Sequence, residues 1–512
     1  MKYNLFSDFR NDESGGILAF TLVMFLTMVV GGGMAIDFIN HEMRREAVQD
    51  ALDRGVLAAT ASAKAAGAIT PAQIAAAKTA AISKVLSYVT VSGFDPVALG
   101  VVVKPQITAN SQRIDVSANF SVDTYFLRLS GIKTLKGQAV AAASVKQSNI
   151  EMSLVFDVSG SMDFDVYDSK GNYLGRRIDL LQNAAKDFTD IMLSGDAPTY
   201  TSISVVPFSG QVALSPSLAS EYSNFGSVDL NTGGFGPWHD YSNCMMFNPD
   251  DYKTTAFGPL ESRQQYEHFK LFGGRGGNRS PELVTWCPDS SAQIMPLSNN
   301  ASDIKAMLDG LTPQGATNTW TGIKWGTALL DPSTQPIIND LTSKCSTGVC
   351  EVDPAFRNRP SAFADPETLK FLVVMTDGQN TSELTIPGQT YNAYKTNMAY
   401  TQQNANYWNK YNAGGVLYDS NGVALPSVER TTGSEGDSRM QDICTAAKNQ
   451  GIVIFTIGVD IAKNSNAYDQ MRNCASNTGN FYGGNFYSVS SANMADAFAG
   501  ISNTIQKLRL IN

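Results

Sequence analysis

Histidine is almost missing from this 512-residue chain: His41, His239 and His268 are its three. They are scattered, and none lies near a recognisable nucleophile, which weakens any hydrolase built on a histidine base. No Gly-x-Ser-x-Gly frame occurs, so the nucleophile elbow is lacking. No Gly-x-x-x-x-Gly-Lys-Ser/Thr loop occurs either, which removes the usual nucleotide cradle. Cys-x-x-Cys pairs are absent, and with so few histidines a zinc site is not expected. There is no Lys/Arg-rich block. The 38 Lys and Arg stand against 47 Asp and Glu, a net charge of -9, so no nucleic-acid partner is expected.

What is present is a globular chain of more than one domain, with 43% hydrophobic and 17% charged residues. Its cysteines are six, an even number: Cys244, Cys287, Cys345, Cys350, Cys444 and Cys474. Disulfides in an oxidising compartment are the natural reading, provided that the chain is exported.

Gly16 to Ile36 supplies the export signal. It is an uncharged apolar run of about 21 residues, long enough to cross a bilayer as a helix. A soluble core helix of this length would carry a polar face, and this one has none. The rival is a cleaved signal peptide, with Gly33-Met34-Ala35 as a small-x-small cleavage site. The apolar core is longer than such peptides carry, which favours an uncleaved anchor. Flanking charge fixes the orientation poorly. The cysteines fix it better, because paired thiols put the large C-terminal part outside the cytoplasm and residues 1–15 inside it.

From Asn40 to about Val89 the chain is rich in Ala with Glu, Gln, Lys and Arg between, all strong helix formers. Thr70-Pro71 reads as a fresh N-cap and first turn, so a long helix is expected with an interruption near Gly67. Strand patterns follow at Val101-Val102-Val103, Arg113–Val122, Tyr125–Leu129 and Gln138–Val145. Residues 37–148 thus resemble the outline of a pilin, a long helix followed by a small antiparallel sheet. Gly31-Gly32-Gly33 is expected to loosen the helix at one end of the span.

The second domain, 149–512, opens on Met152–Phe156, a fully apolar run that reads as a buried strand of a parallel sheet. It ends in Asp157-Val158-Ser159-Gly160-Ser161. The carboxyl end of such a strand is where an open α/β sheet places its ligand, and three small oxygen donors there suit a hard divalent cation. Asp165–Asn172 and the similar Leu417–Gly422 read as hairpin turns more simply than as calcium loops. A helix is expected over Asp179–Met192, and a second buried strand over Thr201–Val206, with Pro207 marking its end. After the short helix Ser302–Asp309, a glycine turn puts Thr317 on a loop, and a new helix starts near Asn318. Leu369–Met375 is a further buried strand, ending in Thr376-Asp377-Gly378. A helix over Asp437–Gln450, a strand over Gly451–Val459, a helical segment Tyr468–Ser476 and a closing helix Ala492–Leu508 complete the pattern. Insertions are expected at about 211–300, 331–368 and 380–436. Their aromatics, among them Trp238, Tyr241, Trp286, Tyr407 and Trp408, form either a recognition surface or packing onto the host domain.

Asp157-x-Ser159-x-Ser161 with the distant Thr317 and Asp377 resembles the metal-ion-dependent adhesion site of the von Willebrand factor type A domain. The resemblance implies a doubly wound, mostly parallel α/β sheet and an octahedral Mg2+ (or Mn2+; Ca2+ fits less well). Ser159, Ser161 and Thr317 would coordinate through hydroxyls, and Asp157 and Asp377 largely through water. Neutral hydroxyls leave the cation electron-poor, so that a partner's carboxylate can take the open position. Cys444–Cys474, Cys345–Cys350 and Cys244–Cys287 are the expected bridges, although six cysteines allow about 15 arrangements. The order of anchor, Ala-rich helix, small sheet and interrupted adhesion-type domain, with Gly15-Gly16-Ile17-Leu18-Ala19-Phe20 and Ala35-Ile36-Asp37 around the span, resembles the TadG-like proteins of tight-adherence (Flp) pilus systems. That family implies a non-enzymatic, single-pass inner-membrane protein facing the periplasm, with a pilus or envelope component as partner. The alternative is a surface adhesin with the same site, released by cleavage after Ala35.

Overall fold

The structure is a computed structural model that describes residues 14–64, 71–107, 111–146, 148–195, 197–222, 225–228, 235–236, 239, 241–257, 263–269, 285–346, 349–386, 421–424, 429–477 and 484–511. The chain divides into two compact units, Met1–Gln147 and Ser148–Asn512.

The first unit is built on α1 (Ser14–Lys64), a continuous helix of 51 residues. By length and composition α1 is able to cross a membrane, and only 6% of its most apolar window is buried. Gly31-Gly32-Gly33 does not loosen it, contrary to expectation. Gly33 is there for space: a Cβ would overlap the Phe126 ring, while nothing approaches Gly31 or Gly32. Beyond the apolar stretch, Val48, Leu52, Val56 and Ala59 of α1 pack on Ala77, Ala81, Val85 and Val89 of α2 (Pro71–Val91). The same core takes the inner face of an antiparallel sheet, β1 (Val102–Ile107), β2 (Ser111–Asp123) and β3 (Thr134–Lys146). In β2 the buried Ile114, Val116, Ala118 and Phe120 alternate with more exposed neighbours, the period of a half-buried strand.

Tyr125–Leu129 is not a strand. It is a turn running into a short 3-10 helix, Leu127–Ser130. The cause is a contact 90 residues away: the Asp37 carboxylate accepts the N–H groups of Tyr125 (2.9 Å), Phe126 (2.9 Å) and Leu127 (2.7 Å). Donors so engaged have none left for a sheet ladder.

The second unit holds a six-stranded sheet. Its strands are β4 (Asn149–Asp157), β5 (Thr201–Phe208), β6 (Met295–Ser298), β7 (Thr368–Thr376), β8 (Val453–Val459) and β9 (Phe486–Val489), in the order β6-β5-β4-β7-β8-β9. All pairings are parallel except β6 on β5. Side chains alternate between two cores. Met152, Leu154 and Phe156 of β4 join Leu181 and Phe188 of α3 (Arg177–Met192) and Phe498 and Ile501 of α8 (Met494–Ile511). Ile304 and Leu308 of α4 (Ala301–Gly310) complete that face. Val155 faces the other way, toward Trp320 and Ile323 of α5 (Thr319–Ala328), Met440 and Ile443 of α6 (Gly433–Asn449), and Met471 of α7 (Asn466–Cys474). Burial on both faces explains the unbroken apolar run of β4.

Several expectations shift. Pro207 does not end β5 but lies inside it, opposite Phe156. β6 pairs only as far as Val205, so at Pro207 no second strand asks for the missing N–H. The insertion expected at 211–300 is shorter, because Met295–Ser298 is the sheet's edge strand, where only one partner is needed. α6 starts at Gly433 rather than Asp437, since Thr432 caps it and Glu435 closes a capping box. Asp165–Tyr167 pairs with Tyr173–Arg176 as a hairpin, and the Asp168 carboxylate is taken up by the N–H groups of Lys170 and Asn172. In the matching phrase, 417–420 lie outside the described residues, as do Trp238, Tyr407 and Trp408. Trp286 is buried packing, whereas Tyr241 is 45% exposed.

All three expected disulfides are present: Cys244–Cys287, Cys345–Cys350 and Cys444–Cys474. The last ties α6 to α7 across 30 residues. Replacing both cysteines by serine should lower the stability of the second unit by roughly 3–4 kcal/mol, from the loop-closure entropy returned to the unfolded chain. Urea unfolding of the full chain in detergent, followed by tryptophan fluorescence, measures it. All five tryptophans lie in this unit.

Candidate metal centre

β4 sends its chain toward β5 on one side, and β7 lies on its other side, so the strand order reverses between β4 and β7. At such a switch point the following loops part and leave a crevice at the carboxyl ends of the strands. Asp157 is the last residue of β4, and Asp377 follows the last residue of β7.

The loops around the crevice are tied together by main-chain hydrogen bonds. Gln314 N–H donates to Val158 O (2.7 Å), Gly160 N–H to Gly315 O (3.1 Å), Asn318 N–H to Ser209 O (2.9 Å) and Thr381 N–H to Thr317 O (2.8 Å). Gly315 makes the turn possible with φ +82°, a left-handed conformation that a side chain would strain. Thus the loops after β4, β5 and β7 and the loop before α5 form one braced platform.

On that platform the expected residues meet. Ser159 Oγ lies 3.1 Å from Ser161 Oγ, and Ser161 donates to Asp377 Oδ1 at 2.6 Å. Asp157 accepts the Ser159 N–H (2.8 Å) on one oxygen and the Thr376 hydroxyl (2.6 Å) on the other. Thr317 sits beside Gly378, with its Oγ1 3.8 Å from where a Cβ on that glycine would stand. Asp157 and Ser159 are fully buried, and Thr317 and Asp377 are nearly so.

Sequence patterning missed the residues that brace this set. Arg177, the first residue of α3, reaches Asp377 Oδ2 (2.8 Å) and Asp460 Oδ2 (3.1 Å). Asn380 accepts the Thr319 N–H (2.9 Å) and donates to Asp437 (2.8 Å). No motif marks Arg177; its partners are brought to it by the fold alone.

Burial, reinforced by the nearby Asp377 charge, pushes the Asp157 carboxyl up to about 7. Burial also raises Asp377, against the pull of Ser161 and Arg177. Two desolvated acids facing neutral hydroxyls are short of positive charge, and this donor set fits a small hard cation. Among the described residues no group of three or more His, Cys, Asp or Glu forms a metal cluster; the oxygens here are mostly hydroxyls.

No family model matches the chain, and no curated protein matches it. Solved structures do. The vWF domain of the type V pili tip protein Mfa5 from Porphyromonas gingivalis is 13% identical, with 71% of this chain and 96% of that one covered and a TM-score of 0.32. The PilB minor pilin from Streptococcus sanguinis is 15% identical over 79% of this chain and 77% of that one, at 0.32. The pilus adhesin SpaC from Lactobacillus rhamnosus GG is 14% identical over 80% of this chain and 34% of that one, at 0.29. All three are pilus proteins. Overlaps this loose carry no weight beside the strand order and the braced loops.

The buried acids give the site a pH signature. A carboxyl raised above its unfolded value of 3.8 stabilises the fold while protonated, and that stability is lost as pH rises toward about 7. A bound divalent cation needs the carboxylate, so its contribution has the opposite sign. The rise in melting temperature on adding Mg2+ should therefore grow between pH 5.5 and pH 8. Apparent affinity at pH 5.5 should be at least roughly tenfold weaker, since a proton must leave. Burial also pushes Glu383 to about 7 and Glu267 to about 8, so both titrate in this window. D157N should lose the Mg2+-dependent trend and Asp157's own share of the metal-free one, keeping the share that comes from Glu383 and Glu267; melts of both proteins with Mg2+ or chelator separate the terms.

Proposed function

We propose that the chain is a membrane-anchored periplasmic component of tight-adherence (Flp) pilus assembly or anchoring, of the TadG-like type. In this reading its second unit is a doubly wound von Willebrand factor A-type domain, and it binds a protein partner through Mg2+ or Mn2+. The observation that carries the reading is the meeting of Asp157, Ser159, Ser161, Thr317 and Asp377 at the sheet's switch point. These residues come from three separate loops and leave a hydroxyl-rich, desolvated, negatively charged nest.

The roles divide by chemistry. Ser159 and Ser161 present neutral oxygens, and Thr317 adds a third from the loop before α5. Asp157, held by Ser159 N–H and Thr376, keeps its charge close without being free to swing. Arg177 fixes Asp377 and neutralises part of its charge. A cation seated here would be electron-poor and would accept one more anionic oxygen, the carboxylate of a partner. In this reading the site binds rather than catalyses, and its serine hydroxyls act as cation donors.

An uncleaved anchor is favoured over a released adhesin by the packing of α1. Cleavage after Ala35 would cut between Gly33 and Asp37, both buried against the turn at Phe126. The three disulfides fit a periplasmic location.

The test uses Mn2+ as a paramagnetic probe on the purified full chain. The wild type should bind Mn2+ with displacement by Mg2+. D157A and S161A should weaken it by tenfold or more with circular dichroism unchanged. In the producing bacterium D157A should abolish pilus assembly or surface attachment; unaltered assembly and attachment with that variant would sink the proposal.

A further inference from the structure

The first unit carries an apolar surface that its own core does not absorb. Tyr125 is 72% exposed, Leu129 73% and Ile132 46%, all on the turn that follows β2. The turn is stiff. Asp37 holds the N–H groups of Tyr125, Phe126 and Leu127, Gly131 N–H donates to Arg128 O (3.0 Å), and Ile132 N–H donates to Leu127 O (3.1 Å). Phe126 fills the notch left by Gly33. The turn is therefore locked onto one face of α1 between Gly33 and Asp37. On the free faces of the helix at the same level, Ile36 (48%), Phe38 (55%) and Ile39 (57%) are also exposed.

The helix length says what lies there. A helix rises 1.5 Å per residue, so Gly16 to Ile36 spans about 30 Å, the thickness of the hydrocarbon core. The Gly33–Asp37 turn then falls where hydrocarbon gives way to headgroups. Residues 124–136 bring three cations to that level, Arg128, Lys133 and Lys136, and no acid. All three are exposed. An amphipathic tyrosine, branched apolar side chains and basic residues together have the composition that the bilayer interface selects.

We propose that the turn Tyr125–Lys133 is a second membrane contact. It is an interfacial foot in which Tyr125, Leu129 and Ile132 enter the acyl–headgroup boundary while Arg128 and Lys133 lie among lipid phosphates. Together with Ile36, Phe38 and Ile39 it forms an apolar collar around the exit of α1. A helix crossing alone is free to tilt and rotate; a rigid foot to one side fixes the rotation of the helix and the stance of the small sheet. The inference rests on the reading of α1 as an anchor and adds to it a specific set of lipid-facing residues.

All six native cysteines are in disulfides, so a single added thiol can be labelled without interference. The full chain carrying L129C is labelled with an environment-sensitive fluorophore and reconstituted into phosphatidylethanolamine–phosphatidylglycerol vesicles. L57C is the control. Leu57 is 64% exposed and 20 residues beyond Asp37, roughly 30 Å further along the helix. The label at 129 should emit to the blue of the label at 57. It should be quenched by lipids bearing a nitroxide near the headgroup, and should resist aqueous iodide several-fold better. If the vesicles retain the chain through a carbonate wash while the two labels behave alike, the foot is overturned and the surface is free for a protein. If carbonate strips the chain from the vesicles, the anchor reading fails and takes the foot with it.

Discussion

A carboxylate taken out of water has to be compensated by partners within a few ångströms or remain protonated, and this chain buries several. The compensation differs from one to the next. Asp37, 2% exposed, accepts three main-chain N–H groups and is thereby absorbed into the fold. Glu151 faces Lys370 directly across β4 and β7, with 2.5 Å between charged atoms, and its other oxygen accepts the Ser361 N–H. Glu267 takes the remaining course, with its carboxyl pushed up to about 8 by burial so that it is largely neutral at pH 7. Asp157 has one N–H, one hydroxyl and a second acid nearby. Burial still pushes its carboxyl up to about 7, and it is the one of these four standing at the switch point of the sheet.

The pair β4 and β7 thus carries opposite arrangements at its two ends. At the amino ends, Glu151 and Lys370 cancel in place, and Lys370 also donates to Leu330 O (2.8 Å). Such a pair leaves nothing for a ligand to supply. At the carboxyl ends, Asp157 and Asp377 are shared among hydroxyls and a single guanidinium that also serves Asp460. Arg177 is partial compensation: it holds one oxygen of Asp377 and leaves the other to Ser161. Under the proposed function, the negative excess would give a divalent cation a reason to enter, and the hydroxyls would keep that cation from being satisfied once there.

Much of this was legible in the sequence because the informative residues are punctuation. Asp157, Ser159 and Ser161 interrupt an apolar run, and Asp377 ends another, so period and break together locate them. The continuous apolar run of α1 was equally plain, whereas the cysteine pairing was an expectation chosen from about 15 arrangements. The misses share a physical origin. Tyr125–Leu129 has strand-like composition, yet Asp37 claims its N–H groups from 90 residues away. Pro207 looked like a terminator because a lone sequence does not say which strand stops short beside it. Arg177 lies 200 residues from Asp377, and nothing in the local pattern distinguishes it from Arg176, which spends itself on Asp163 and Asp179 instead.

That difference between neighbouring arginines bears on how rigid the site is. Arg176 serves residues of its own hairpin and helix, so its ion pairs tie a local corner. Arg177 crosses to the loops after β7 and β8, and Asp460 in turn accepts the Ser491 N–H (3.1 Å) and hydroxyl at the start of the segment leading into α8. Three elements distant in sequence therefore meet at one guanidinium beside the candidate site. A carboxylate braced from both sides loses little freedom when a cation binds, so the entropy of ordering it has been met largely by the fold. Preorganisation of this kind is what a set of weak, neutral hydroxyl donors would need in order to hold a cation as proposed.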